Sequence, residues 1–246
     1  MPFDLEDRPS DSPYVDSIWR TESGDVSRFL SMAVTSWAIV FTRRHGTTRV
    51  TVRGPETRVS WADCPDEAEF FGIQFKLGAF MPHLPLDALV DSSLDLPQFG
   101  RSFRLDGSAW ELPGYDNADV FLARLERQGL LVRDPVVESV LDGRRADVSP
   151  RTVQRRFLNA SGLTSRAIRQ IERARQATAM LRKGHSILAV VEAAGYADQS
   201  HLTRALRRLV GQTPAELRRR SVDLSRLERR LAATGSLLTP SVGRCF

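Results

Sequence analysis

The stretch Ser186-Ile-Leu-Ala-Val-Val-Glu-Ala-Ala-Gly195-Tyr-Ala-Asp-Gln-Ser-His-Leu-Thr-Arg204-Ala-Leu-Arg-Arg-Leu-Val-Gly211-Gln-Thr-Pro214 decides the reading. Ser186 can cap a short helix, because its hydroxyl oxygen can accept from an otherwise unpaired first-turn N–H. Ile187, Val190 and Val191 give that helix an apolar face. Gly195 stands where the chain must turn sharply, and glycine enters positive φ without a Cβ penalty. Tyr196 can anchor the turn in a core. Asp198 or Ser200 can cap the next helix, with Leu202, Leu206 and Leu209 as its buried positions. Gln199, His201, Thr203, Arg204, Arg207 and Arg208 form its other face. A helix, a tight turn and a second helix with such a face make a helix-turn-helix, the second helix being shaped to enter a major groove.

The same logic recurs upstream. Ser149-Pro150 is a cap followed by a first-turn proline. Val153 and Phe157 would face inward, Arg151, Gln154, Arg155 and Arg156 outward, and Gly162 would end the helix. Between the two lies Thr164–Lys183, with Ile168, Ile171, Ala174, Thr178 and Leu181 at helical spacing, which predicts one long connecting helix. Val136–Leu141 is apolar enough for a first helix, but Asp142–Asp147 follows instead of a compact turn, so the first unit reads as shortened.

Charge divides the chain the same way. Residues 1–134 carry 14 Lys and Arg against 21 Asp and Glu; residues 135–246 carry 21 against 9. The net charge of +5 therefore combines an acidic front with a basic back, a pattern that suggests nucleic acid bound by the back. Lys76 and Lys183 are the only lysines. Two distant cysteines, Cys64 and Cys245, exclude a disulfide framework or a cysteine zinc cluster. No stretch approaches about 18 apolar residues, and the acidic start is not a secretory signal, so a soluble cytoplasmic protein without a membrane partner is expected.

The front reads as strands. Trp37–Phe41 is a buried run and Arg49–Arg53 alternates, with a turn at His45-Gly46. Arg58–Trp61 and Phe70–Phe75 follow, and Pro82, Pro85 and Pro97 break the next segment into turns. A helix near 114–129, capped by Asn117 or Asp119, would place Val120, Phe121 and Leu125 on one side and end at Gly129. The domain boundary is expected in Leu130–Pro135, where Asp134-Pro135 interrupts the pattern. The expected organisation is an α+β two-domain chain: a small β-rich domain at 1–112, a linker helix and hinge at 113–134, an all-α domain of two helix-turn-helix units joined by a long helix at 135–220, and a charged helix with a frayed tail at 221–246.

Residues 135–219 resemble the DNA-binding domain of the AraC/XylS family of transcriptional regulators. The resemblance rests on Arg155-Arg156-Phe157 with Gly162, Ser186-Ile187, Gly195-Tyr196, Ser200-His201-Leu202 and Gly211-x-Thr213-Pro214, and covers roughly a third of the chain. Val191 replaces the family's usual alanine and Leu206 its usual phenylalanine. The resemblance implies base contacts from Arg151, Gln154 and Arg155 in the first unit, and from Gln199, Ser200, His201, Thr203 and Arg204 in the second. Arg can bridge guanine O6 and N7, and Gln can bridge adenine N6 and N7. Arg156, Arg207, Arg208, Arg218, Arg219 and Arg220 suit phosphates. The segment Phe70–Gly78, with Leu84–Leu89 and Asp91–Leu96, is similar to the β-rich, cupin-like sensor or dimerisation domains of one branch of the family.

The expectation is a sequence-specific regulator of promoter DNA, with activation and RNA polymerase as a partner implied by the resemblance. The front would sense a small molecule, form a homodimer, or both. Trp37, Phe41, Trp61, Phe71 and Phe75 are a core that could also line an apolar effector pocket. The rival is a constitutive DNA-binding protein whose front is only an interaction module; a further rival is a metal-dependent cupin enzyme fused to a DNA-binding domain. His45 and His83 form no His-x-His pair, and Cys64, between Asp63 and Pro65, has no basic neighbour to favour a thiolate. No enzymatic activity, metal or cofactor is therefore expected.

Overall fold

The computed structural model describes residues 6–23 and 28–219. Strands fill the front: β1 (Glu6–Arg8), β2 (Val15–Glu22), β3 (Arg28–Ser31), β4 (Ala38–Arg44), β5 (Thr47–Arg53), β6 (Ser60–Asp63), β7 (Ala68–Phe75), β8 (Ala79–Phe80), β9 (Ser93–Leu96), β10 (Gln98–Phe99), β11 (Ser102–Leu105) and β12 (Ser108–Glu111). Helix α1 (Ala118–Arg127) and strand β13 (Val132–Arg133) follow. Helices then take over: α2 (Pro135–Leu141), α3 (Pro150–Ser161), α4 (Ser165–Arg182), α5 (Ile187–Ala193) and α6 (Gln199–Leu209). The β-rich front and helical back match the expected α+β class.

The main sheet is antiparallel with order β1-β2-β7-β4-β5-β9. Its β4–β5 hairpin turns at His45 and Gly46, both at positive φ, which matches the right-handed twist of the flanking strands. Trp19 pairs with Gly72, where a Cβ would lie 2.2 Å from the indole, so only glycine lets β2 and β7 close. Trp37 stacks on Phe75 with centroids 3.8 Å apart, and its Nε1 donates to Ala79 O at 2.7 Å. Phe103, Trp110 and Phe121 join Phe41 to complete the aromatic core.

Contacts divide the chain into two compact units. Among the described residues, one holds those up to Phe29, Val34–Thr57 and Trp61–Ala167; the other holds Leu30–Ala33, Arg58–Ser60 and those from Ile168. The boundary expected at Leu130–Pro135 runs instead through paired backbone. Strand β13 pairs with β8, and Asp134 N donates to Gly78 O. Asp134 does not interrupt the structure: its carboxylate caps α2 by accepting from Val136 N and Val137 N, with Pro135 at the first helical position.

Two further readings need correction. Val120 is exposed, while Leu122 is buried with Phe121 and Leu125: the inward face of α1 is rotated from the expected one. Asn117 precedes α1 without capping it; its Oδ1 accepts from Gly114 N instead. The expected C-terminal helix and tail, and Arg220, lie outside the described residues.

Candidate nucleic-acid interface

The second helix-turn-helix is built from α5 and α6. Ser186 Oγ accepts from Ala189 N, starting α5, and Val190 is buried. Five residues, 194–198, then reverse the chain. Gly195 takes φ +68°, and Tyr196 turns into the core. The guanidinium of Arg173, from α4, lies 4.6 Å from the Tyr196 ring centroid and donates to Gly195 O at 3.2 Å. Burial raises the Tyr196 phenol above its usual range, and nearby Arg173 opposes the shift. This brace on the turn went unread in the sequence, because Arg173 lies 22 residues before Gly195.

Asp198, not Ser200, caps α6: its Oδ1 accepts from His201 N at 2.6 Å. Leu202, Leu206 and Leu209 are buried at successive turns. Opposite them Gln199, Ser200, Arg204, Arg207 and Arg208 are exposed. His201 and Thr203 are half-buried. The His201 ring stands edge-on to Tyr196, and Thr203 Oγ1 donates to Gln199 O at 2.8 Å, which leaves its methyl and lone pairs for a ligand. Arg208 also donates to Gln170 Oε1 at 3.1 Å.

After Gly211, Thr213 and Glu216 form a reciprocal cap. Thr213 N donates to Glu216 Oε2, and Glu216 N donates to Thr213 Oγ1. Donation to Glu216 Oε2 from Thr213 N, and from Thr213 Oγ1 at 2.8 Å, holds the Glu216 carboxyl below its ordinary range. Arg218 and Arg219 are exposed just beyond.

The first unit has the first helix that the sequence left doubtful: α2 forms as two capped turns. Eight residues, 142–149, connect it to α3. Ser149 Oγ accepts from Thr152 N, Phe157 and Ala160 are buried, and Val153 is half-buried. Arg151, Gln154 and Arg155 are exposed as expected. Arg156 is exposed and also has a partner within the protein: its Nη1 lies 3.2 Å from Oδ2 of Asp134, a carboxylate with 3% exposure. It ties α3 to the start of α2, a role hidden by the 22 residues that separate the partners.

With this geometry, residues 143–220 match the protein family described as "Helix-turn-helix domain". The chain is also similar to the HTH-type transcriptional regulator RipA of Corynebacterium glutamicum, with 36% identity over 88 residues, 35% of this chain and 27% of RipA. A second relative is the HTH-type transcriptional regulator GlxA of Rhizobium meliloti, with 34% identity over 116 residues, 47% of this chain and 35% of GlxA. Residues 143–220 are an AraC-type helix-turn-helix domain. It is a DNA-binding domain of the kind carried by transcription regulators. The chain spans only about a third of the length of the curated relatives it matches. Among solved structures, ToxT of Vibrio cholerae aligns over 88% of this chain and 97% of its own, at 9% identity and a TM-score of 0.37.

Outside the AraC-type domain, the proposed pocket rings do not form one group. Trp37, Phe41 and Phe75 are buried, and half-buried Phe71 stacks on Phe41. Trp61 is 63% exposed on β6, with Arg28 over its face. Burial, then the charge of Asp66, raises the Cys64 thiol and disfavours its thiolate. His45 occupies the β4–β5 turn, 4.0 Å from Glu67. No helix of the described residues is long and apolar enough to cross a membrane.

Proposed function

We propose that this protein is a sequence-specific transcription regulator, an activator, that reads promoter DNA with its two helix-turn-helix units. One observation carries the reading. Helix α6 follows a five-residue turn and presents Gln199, Ser200 and Arg204 from its first turns, over a fully buried Leu202, Leu206, Leu209 stripe. A major groove admits such a helix amino-terminal end first. Gln199 and Arg204 supply bidentate readout, Ser200 either donates or accepts, and the Thr203 methyl meets a thymine methyl. His201 contributes its ring edge. In the first unit Arg151, Gln154 and Arg155 read bases. Arg207, Arg208, Arg218 and Arg219 hold phosphates and fix register.

The β-rich region serves as a sensor for a small molecule, as a homodimerisation module, or both, and RNA polymerase is the downstream partner. A ligand acts there by biasing one conformation over another, and no chemical step is needed. A second reading, constitutive DNA binding, is favoured by the packing of the front rings: Trp37 and Phe75 stack at 3.8 Å, the distance of a filled core.

The experiment is selection from a randomised duplex library with the purified full chain, followed by affinity measurements across salt concentrations. An enriched motif of two boxes about one helical turn apart supports both units. A single box leaves only one unit reading bases. Salt-sensitive binding without enrichment defeats the sequence-specific reading.

A further inference from the structure

Helix α6 ends in a way its own residues do not complete. Val210 N and Gly211 N both donate to Leu206 O, at 2.8 and 3.0 Å. The next carbonyls need partners from outside the helix. Two receive them from far away in sequence. Val59 N donates to Arg208 O at 2.9 Å, and Ala33 N donates to Leu209 O at 2.8 Å. Both donors lie on segments of the same compact unit as α6, Leu30–Ala33 and Arg58–Ser60. Strands β3 and β6, which overlap these segments, pair with each other. The side chains of Leu30 and Val59 close over Gly211. A Cβ there would meet Leu30 Cδ2 at 2.5 Å and Val59 Cγ2 at 3.0 Å. Gly211 is thus demanded twice, by its φ of +77° and by this contact.

We propose that Leu30, Ala33 and Val59 are positioning residues for DNA reading, forming a clasp on the last turn of α6. The proposal rests on the DNA-reading function above. The clasp holds the carboxyl end of the helix, where backbone carbonyls carry partial negative charge and attract N–H donors. It leaves Gln199, Ser200 and Arg204 exposed, so it fixes the helix axis without covering the reading end. A segment of the chain far from the helix-turn-helix in sequence thereby becomes part of the reading apparatus.

Two measurements on the full chain test this. Amide exchange of Ala33 and Val59 in the DNA-free protein reports the clasp itself. Both amides are expected to be protected, and Leu30→Ala to speed both. Affinity for a library-selected duplex and for a random duplex reports its role. Leu30→Ala and Ala33→Pro are expected to weaken selected-duplex binding on the order of five- to ten-fold. Random-duplex binding should not change, and Ala33→Gly, which keeps the N–H, should bind like the parent. If Ala33→Pro does not fold, Leu30→Ala decides alone. Unprotected amides in the parent, or unchanged selected-duplex affinity in the variants, overturn the proposal. Tighter binding also overturns it, since the clasp would then restrain α6. A parent protein that selects no sequence defeats the DNA reading and this role with it, while amide exchange still decides whether the clasp exists.

Discussion

The two helix-turn-helix units solve one problem with different means. The second uses a five-residue turn, a buried tyrosine and a Leu202, Leu206, Leu209 stripe on α6. The first joins α2 and α3 through eight residues, and α3 buries Phe157 and Ala160 over a half-buried Val153. What the first lacks in apolar burial it partly replaces with charge: Arg156 holds Asp134, which in turn caps α2. The difference teaches that a helix-turn-helix geometry can be fixed by a leucine stripe or by an ion-paired cap. The two should respond differently to mutation and salt.

Leu206→Ala should produce the largest effect, a loss of about 2–5 kcal/mol in stability by denaturant unfolding, since it empties a fully buried site. Val153→Ala should cost clearly less, and equal losses would break the comparison. Arg204→Ala should cost on the order of 1–3 kcal/mol at the selected duplex and much less on random DNA, measured at one salt concentration. Arg156→Ala should destabilise by about 1–2 kcal/mol, because it strands the Asp134 carboxylate but removes a half-exposed partner. Its slope of log affinity against log salt should stay unchanged; a shallower slope would return Arg156 to the phosphate set. Arg219→Ala should weaken all duplexes alike and reduce that slope by about one unit.

The smallest effect is expected outside both helix-turn-helix units. Burial would raise the Asp119 carboxyl, but hydrogen bonds from Ser10 and Arg8 outweigh it and hold the group below its ordinary range. A carboxyl lowered in the folded state stabilises above its unfolded pKa of about 3.9, and that contribution is lost as pH falls through the folded value. Asp119→Asn should therefore flatten the acid limb of the stability curve and leave neutral-pH DNA binding untouched.

Local signals made the second unit legible. Ser186, Gly195, Asp198 and the leucine spacing are all short-range cues, and each occupies the position its chemistry demands. The β4–β5 hairpin was legible for the same reason. Long-range partners were not. The Asp134-Pro135 cap on α2 is a local cue of the same kind as Ser149-Pro150, but the partner of Asp134, Arg156, comes into place only when α3 folds back. Strand β2 went unread: a bulge between Val15 and Ser17 spoils the alternation that marks a strand. By composition Trp61 resembles the core rings, but β6 has no buried residue, so its alternation points to no interior. Arg151, Gln154 and Arg155, and Gln199, Ser200 and Arg204, are exposed.

The most direct test is to repeat the library selection with Arg204→Ala beside the parent protein. If the amino-terminal half of α6 reads bases, the parent motif should survive except at one base pair, where preference is lost. An identical motif bound with uniformly weaker affinity would contradict the account and leave Arg204 as a phosphate contact.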